Sequence, residues 1–110
     1  MERKKVLIVE DDVKSRYALE AVLEQRGYEV VAMESAEAAV AADGHPFDAA
    51  VIDIRLPAQQ GHEFALELRK EHPKTRIIFV TAYHDDVRWT LPGSVLLVKP
   101  IEMDVLCRLL

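Results

Sequence analysis

Val6-Leu7-Ile8-Val9-Glu10-Asp11-Asp12 runs four consecutive apolar residues straight into three acids. An unbroken apolar run, without alternation, suits a strand covered on both faces, as in a parallel sheet flanked by helices. The pattern recurs downstream. Ala49 to Ile52 is a second such run and stops on Asp53, Ile77-Ile78-Phe79-Val80 stops on Thr81, and Val95 to Val98 stops at Lys99-Pro100. Glu29 to Met33 reads as a further, less apolar strand.

Between these runs lie segments with helical period. Val13 to Arg26 places Ala18, Leu19, Val22 and Leu23 on one side, and Gly27 marks its stop. Ser35 is an N-cap candidate for an alanine-rich helix reaching Asp43, ended by Gly44 and Pro46. Gly61 and His62 lead into a helix that carries Phe64, Ala65 and Leu68 and closes before Pro73. Met103, Leu106, Cys107 and Leu110 fall on one face of a last helix, which stops early. Tyr83 to Thr90 offers at most two helical turns before Leu91-Pro92-Gly93-Ser94 breaks the chain. Strict alternation of strand and helix implies right-handed crossovers and a parallel α/β sheet.

Composition narrows the function. A chain of 110 residues, half of them hydrophobic, fits one domain over 1–110 with a packed core. Cys107 is the single cysteine, so no intrachain disulfide forms, which suits a reducing cytoplasm. Apolar runs fall well short of the roughly 20 residues of a membrane span, and Val6 to Val9 is too short for a signal-peptide core. The net charge is −5, with no basic stripe, which argues against direct nucleic-acid binding by this domain.

The polar residues that end the apolar runs fall at one place. In an open parallel sheet the carboxyl ends of the strands form one rim, where ligands bind. Glu10, Asp11, Asp53, Thr81 and Lys99 therefore converge there. Crowded carboxylates repel unless a cation offsets them, and oxygen donors of this kind suit Mg²⁺. A hard cation beside a carboxylate, a lysine and a hydroxyl can accommodate a transferring phosphoryl group, with Asp53 as the nucleophile candidate. Taken singly, each residue also has an ordinary role. Asp12 before Val13 reads as a helix N-cap, and Glu10 or Asp11 could be solvated loop acids. His45, His62, His72 and His84 are spread over loops and helix ends, and Tyr83 and Trp89 read as packing residues.

With these residues in place, the sequence resembles a response-regulator receiver domain from Lys5 to Leu110. The first strand with its acids and Arg16, Asp53 with Pro57 and Gly61, Thr81-Ala82, and Lys99-Pro100 carry the resemblance. It implies a flavodoxin-like (βα)5 sandwich with strand order 2-1-3-4-5. Asp11, Asp53 and the Arg55 backbone carbonyl would ligate Mg²⁺, and Glu10 would act through water. Lys99 would pair with the phosphoryl group, Thr81 would report it, and the bond before Pro100 would be cis. Arg55 and Tyr83 would flank the path of an attacking water and modulate access. Implied partners are a histidine kinase or histidine phosphotransfer protein, a downstream protein or fused output domain, and a phosphorylation-dependent homodimer.

Two departures from the family pattern stand out. Thr81 to Lys99 is short by about four residues, roughly one helical turn, which predicts a stunted or irregular fourth helix and resembles a short-fourth-helix subset of receivers. Leu96 occupies a switch position that usually carries Tyr or Phe. Two rival readings are a receiver-like interaction module that works without phosphorylation and a phosphohydrolase turning over through an aspartyl phosphate. The complete set of Glu10, Asp11, Asp53, Thr81 and Lys99 argues against the first. Arg55, standing where such a hydrolase needs a second acid, argues against the second.

Overall fold

The structure is a computed structural model that describes residues 3–42 and 44–110. Five strands, β1 (Lys5–Val9), β2 (Glu29–Met33), β3 (Ala49–Asp53), β4 (Arg76–Thr81) and β5 (Val95–Val98), form one parallel sheet. Their order is β2-β1-β3-β4-β5, as the resemblance implies. The apolar runs in β1, β3 and β4 are buried along almost their whole length, as strands covered on both faces must be, whereas β2 and β5 at the edges are half-buried.

The two faces of the sheet carry separate cores. Leu7, Val9, Ala50, Ile52, Ile77 and Phe79 pack with Phe64, Ala65 and Leu68 of helix α3 (Gly61–Glu71) and Ala36 and Ala39 of α2 (Ala36–Val40). Val6, Ile8, Val51, Ile78 and Val80 pack with Leu19 and Leu23 of α1 (Val13–Gln25) and Leu106 of α4 (Met103–Leu109). Alternate residues of each strand thus serve opposite cores, which follows from the strand's period of two.

Local chemistry sets the helix ends. The Asp12 side chain accepts from the Ser15 N–H at 2.9 Å, making it the N-cap of α1. Ser35 caps α2 through Ala38 N–H at 3.1 Å. Gly27, at φ +94°, takes the left-handed conformation that ends α1. Three expectations need correction. The α2 helix stops at Val40 with Ala41 as its cap, and the expected extension to Asp43 ends outside the described residues. Ala18 is exposed rather than packed on the α1 core face. It lines a largely apolar groove of about 590 Å³ with Leu19, Val22, Pro100, Ile101 and Met103. The histidines are not all apart, because the rings of His45 and of His72, at the end of α3, stack with centroids 5.0 Å apart.

The fourth crossover carries a 3-10 helix, His84–Trp89, in place of an α-helix. Its brevity follows from the short stretch between β4 and β5, and the Pro92-Gly93 turn that closes it has Gly93 at φ +80°. Leu96 of β5 lies opposite Phe79 of β4 and packs against the α3-side core.

Candidate functional site

The carboxyl ends of β1, β3, β4 and β5 meet on one rim. Parallel pairing continues one residue past the strands and fixes the positions of the residues that follow. Glu10 N–H donates to Met33 O at 3.0 Å, Ile54 N–H to Val80 O at 3.0 Å, and Lys99 N–H to Thr81 O at 2.7 Å. Arg16, one turn into α1, donates through its guanidinium to the backbone carbonyls of Glu10 at 2.8 Å and Asp11 at 3.4 Å, tying the acidic loop to the helix.

Glu10, Asp11 and Asp53 each offer a carboxylate oxygen, and these atoms lie within 4.8 Å of one another. Glu10 and Asp53 are buried, and Asp11 is exposed. Lys99 Nζ donates to Glu10 Oε1 at 2.6 Å and to Asp53 Oδ2 at 3.2 Å. The other Asp53 oxygen accepts from the Arg55 N–H at 3.0 Å. Burial pushes the Glu10 carboxyl above its ordinary value, Asp53 pushes it the same way, and Lys99 pulls it back. Burial works against the Lys99 ammonium, but Glu10 and Asp53 outweigh it and hold its pKa above the usual lysine value. One ammonium thus stands beside a cluster of three carboxylates and pairs with two of them, Glu10 and Asp53. Three hard oxygen donors with surplus negative charge fit a divalent cation that keeps some of its waters. The Arg55 carbonyl belongs to the loop directly after Asp53. The Lys99–Pro100 bond is cis.

Thr81 is buried at the end of β4. Its hydroxyl donates to a carboxylate oxygen of Asp86 and accepts the Tyr83 N–H at 3.2 Å. Asp86, in the 3-10 helix and only 1% exposed, also takes two bonds from the Arg55 guanidinium, at 3.0 and 2.9 Å. Arg55 holds the Asp86 carboxyl below the ordinary aspartate value against the cost of burial, and Thr81 adds to the effect. The Arg55 guanidinium lies over the Tyr83 ring, 4.1 Å from its centroid. Arg55 and Tyr83, expected beside the path of an attacking water, touch each other, and the sequence expectation did not include Asp86. Asp86 stands in a polar stretch, His84-Asp85-Asp86, in which nothing in the residue pattern distinguishes the buried acid from the exposed one beside it.

Residues 6–110 match the family profile of the response regulator receiver domain. The chain is 38% identical over 80 residues to the response regulator protein FleR of Pseudomonas aeruginosa, covering 72% of this chain and 17% of that protein. It is 35% identical over 79 residues to the transcriptional regulatory protein TcrA of Mycobacterium tuberculosis, covering 71% and 31%. The chain therefore spans less than a third of the length of either relative. Among solved structures, a receiver domain protein from Methanospirillum hungatei superposes with a TM-score of 0.88 at 30% identity, covering 97% of this chain and 90% of that one. The response regulator TrrA of Thermotoga maritima, in complex with Mg²⁺ and beryllofluoride, superposes with a TM-score of 0.80 at 29% identity, covering 97% and 99%. The fold, the rim and these matches agree: the chain belongs to the response regulator receiver domain family, the phosphoryl-accepting modules of two-component signalling.

Proposed function

We propose that Asp53 is the residue that accepts the phosphoryl group, with Glu10, Asp11, Asp53 and the Arg55 carbonyl holding Mg²⁺. The observation that carries this reading is the Asp53 carboxylate itself. It ends a fully buried strand, stays 6% exposed, and is held from both sides by Lys99 Nζ and the Arg55 N–H. A carboxylate oxygen fixed in this way attacks the phosphorus of a phosphohistidine or acyl phosphate. A new P–O bond forms as the bond from phosphorus to the donor nitrogen or oxygen breaks, and the leaving group departs with that electron pair. Bound Mg²⁺ supplies positive charge against the phosphoryl oxygens. The Lys99 ammonium, already paired to Asp53, moves onto a phosphoryl oxygen, and the Thr81 hydroxyl donates to another.

The donor in this reading is a histidine kinase, a histidine phosphotransfer protein or a small acyl phosphate, and the domain works in the cytoplasm. The switch acts on a downstream protein, on a fused output domain or on a second copy of the chain. Residues 1–110 act as one receiver unit that phosphorylates and slowly dephosphorylates itself. Incubation with acetyl phosphate and Mg²⁺ should add one base-labile phosphoryl group by intact-mass spectrometry. Asp53→Asn should abolish it, and Lys99→Ala should slow it by about two orders of magnitude or more. Labelling that persists in Asp53→Asn would assign the acceptor elsewhere.

A further inference from the structure

Asp86 is a buried acid that the phosphoryl-transfer chemistry does not use, yet it holds two residues of the site. An ionised carboxylate only accepts hydrogen bonds, and a threonine hydroxyl has a single hydrogen to give. In this structure the Thr81 hydrogen is given to Asp86, while the Thr81 oxygen accepts the Tyr83 N–H. The Arg55 guanidinium is likewise committed to Asp86 through a two-pronged pair. We propose that Asp86 is a positioning residue that competes with the phosphoryl group for the Thr81 hydroxyl proton, so that acceptance of the phosphoryl group breaks the bond tying the 3-10 helix to β4. This rests on the assignment of Asp53 as acceptor.

The consequence follows from where Asp86 sits. Among the described residues, three side-chain ties hold His84–Trp89 against the fold: Asp86 to Thr81 of β4, Asp86 to Arg55 of the loop after β3, and Trp89 stacked on His62 of α3 with ring centroids 5.0 Å apart. A group on Asp53 calls directly on the first of them. A buried carboxylate that loses a hydrogen bond either recovers one from water or stays underpaired, and both outcomes loosen the segment that carries it. The segment is a short 3-10 helix, whose i→i+3 hydrogen bonds are poorer in geometry than those of an α-helix. It therefore shifts as a unit when Thr81 turns away. Trp89 is the single tryptophan of the chain, so its fluorescence reads that shift without labelling.

The test measures beryllofluoride affinity at saturating Mg²⁺ by calorimetry, and Trp89 emission in the same titration. Wild type has to break the Thr81–Asp86 bond to bind, whereas the Asp86 variants do not. Asp86→Ala should therefore bind about tenfold more tightly, and Asp86→Asn, which keeps the shape and a weaker acceptor, about threefold more tightly. In a Thr81→Ala background Asp86→Asn should change affinity by less than about twofold, because the competed proton is gone. Trp89 emission of ligand-free Asp86→Asn should already lie on the side that wild type reaches with beryllofluoride. A purely structural role predicts the opposite, weaker binding in both Asp86 variants. Unchanged or weaker affinity overturns the inference, as does equal tightening with and without Thr81. Should Asp86→Ala fail to fold, the isosteric Asp86→Asn decides. Wild type that binds no beryllofluoride at all would instead overturn the assignment of Asp53, and this inference with it.

Discussion

Gly61 starts α3, and its N–H donates to Ile54 O at 2.8 Å, which folds the loop after Asp53 back against the strand it left. A Cβ built on Gly61 would stand 2.0 Å from the Asp53 carbonyl oxygen and 2.9 Å from Ile54 Cα. Both neighbours are backbone, so neither can rotate aside. Gly61→Ala should therefore cost about 3 kcal/mol or more in urea unfolding and displace Asp53, slowing phosphorylation by acetyl phosphate as well. A loss of stability without loss of labelling would mean that the loop yields and the strand end does not. At the mouth of the same site, Arg55 is half exposed, pinned by Asp86 and stacked on Tyr83. Its guanidinium is thus held by Asp86 and by the Tyr83 ring, and neither Arg55 nor Tyr83 offers a carboxylate or amide to orient an attacking water. The aspartyl phosphate should be long-lived. Its decay, followed by mass spectrometry, should be faster in Arg55→Asn and in Tyr83→Ala, and fastest in the double variant. Equal rates in all four proteins would show that these side chains do not control access.

Among the elements, the strands were the most legible in sequence, because a residue buried on both sheet faces must be apolar and its run is easily seen. The strand ends were legible for the complementary reason. Asp53, Thr81 and Lys99 interrupt apolar runs at equivalent positions, and parallel register then carries them to one rim. What escaped reading depends on pairs distant in sequence or on segments without a period. Arg55 and Asp86 are 31 residues apart, and the His45–His72 stack joins a loop residue to the end of α3. The alanines after Val40 favour helix in sequence, yet α2 ends there with Ala41 as its cap, since local propensity is a weak guide beside tertiary context. The 3-10 helix and β5 also differ in how a signal can cross them. Leu96 has no polar tip to exchange between partners, so β5 offers no aromatic swing. Amide exchange on addition of beryllofluoride should change most in the loop after Asp53 and across Tyr83–Ser94, and least in β5. Protection changes centred on β5 would contradict this and direct attention back to Leu96.

At the scale of the molecule, the doubly covered sheet is what concentrates charge. The apolar strands that fill two cores leave the strand ends as the place where polar groups collect, and three carboxylates stand there against the Lys99 ammonium. Glu10, 1% exposed with its carboxyl pushed up by burial and by Asp53, marks where the folded state holds negative charge at a cost. A divalent cation held on this rim would bind the folded chain and find no equivalent site in the unfolded one, and would therefore stabilise the fold by mass action. At about one hundred times its dissociation constant, Mg²⁺ should add about 2.7 kcal/mol, or about 10 °C in Tm for a domain of this size. Asp11 is exposed, so Asp11→Asn should change the metal-free Tm little while removing most of the Mg²⁺ response. Lys99→Ala should act in the other direction. Without the ammonium on Glu10 and Asp53, the metal-free protein should melt lower and the rise with Mg²⁺ should be larger than in wild type. Sodium chloride at matched ionic strength separates screening from binding. If sodium reproduces the Mg²⁺ response, or if Asp11→Asn keeps it, the rim relieves its charge by general screening and holds no specific cation.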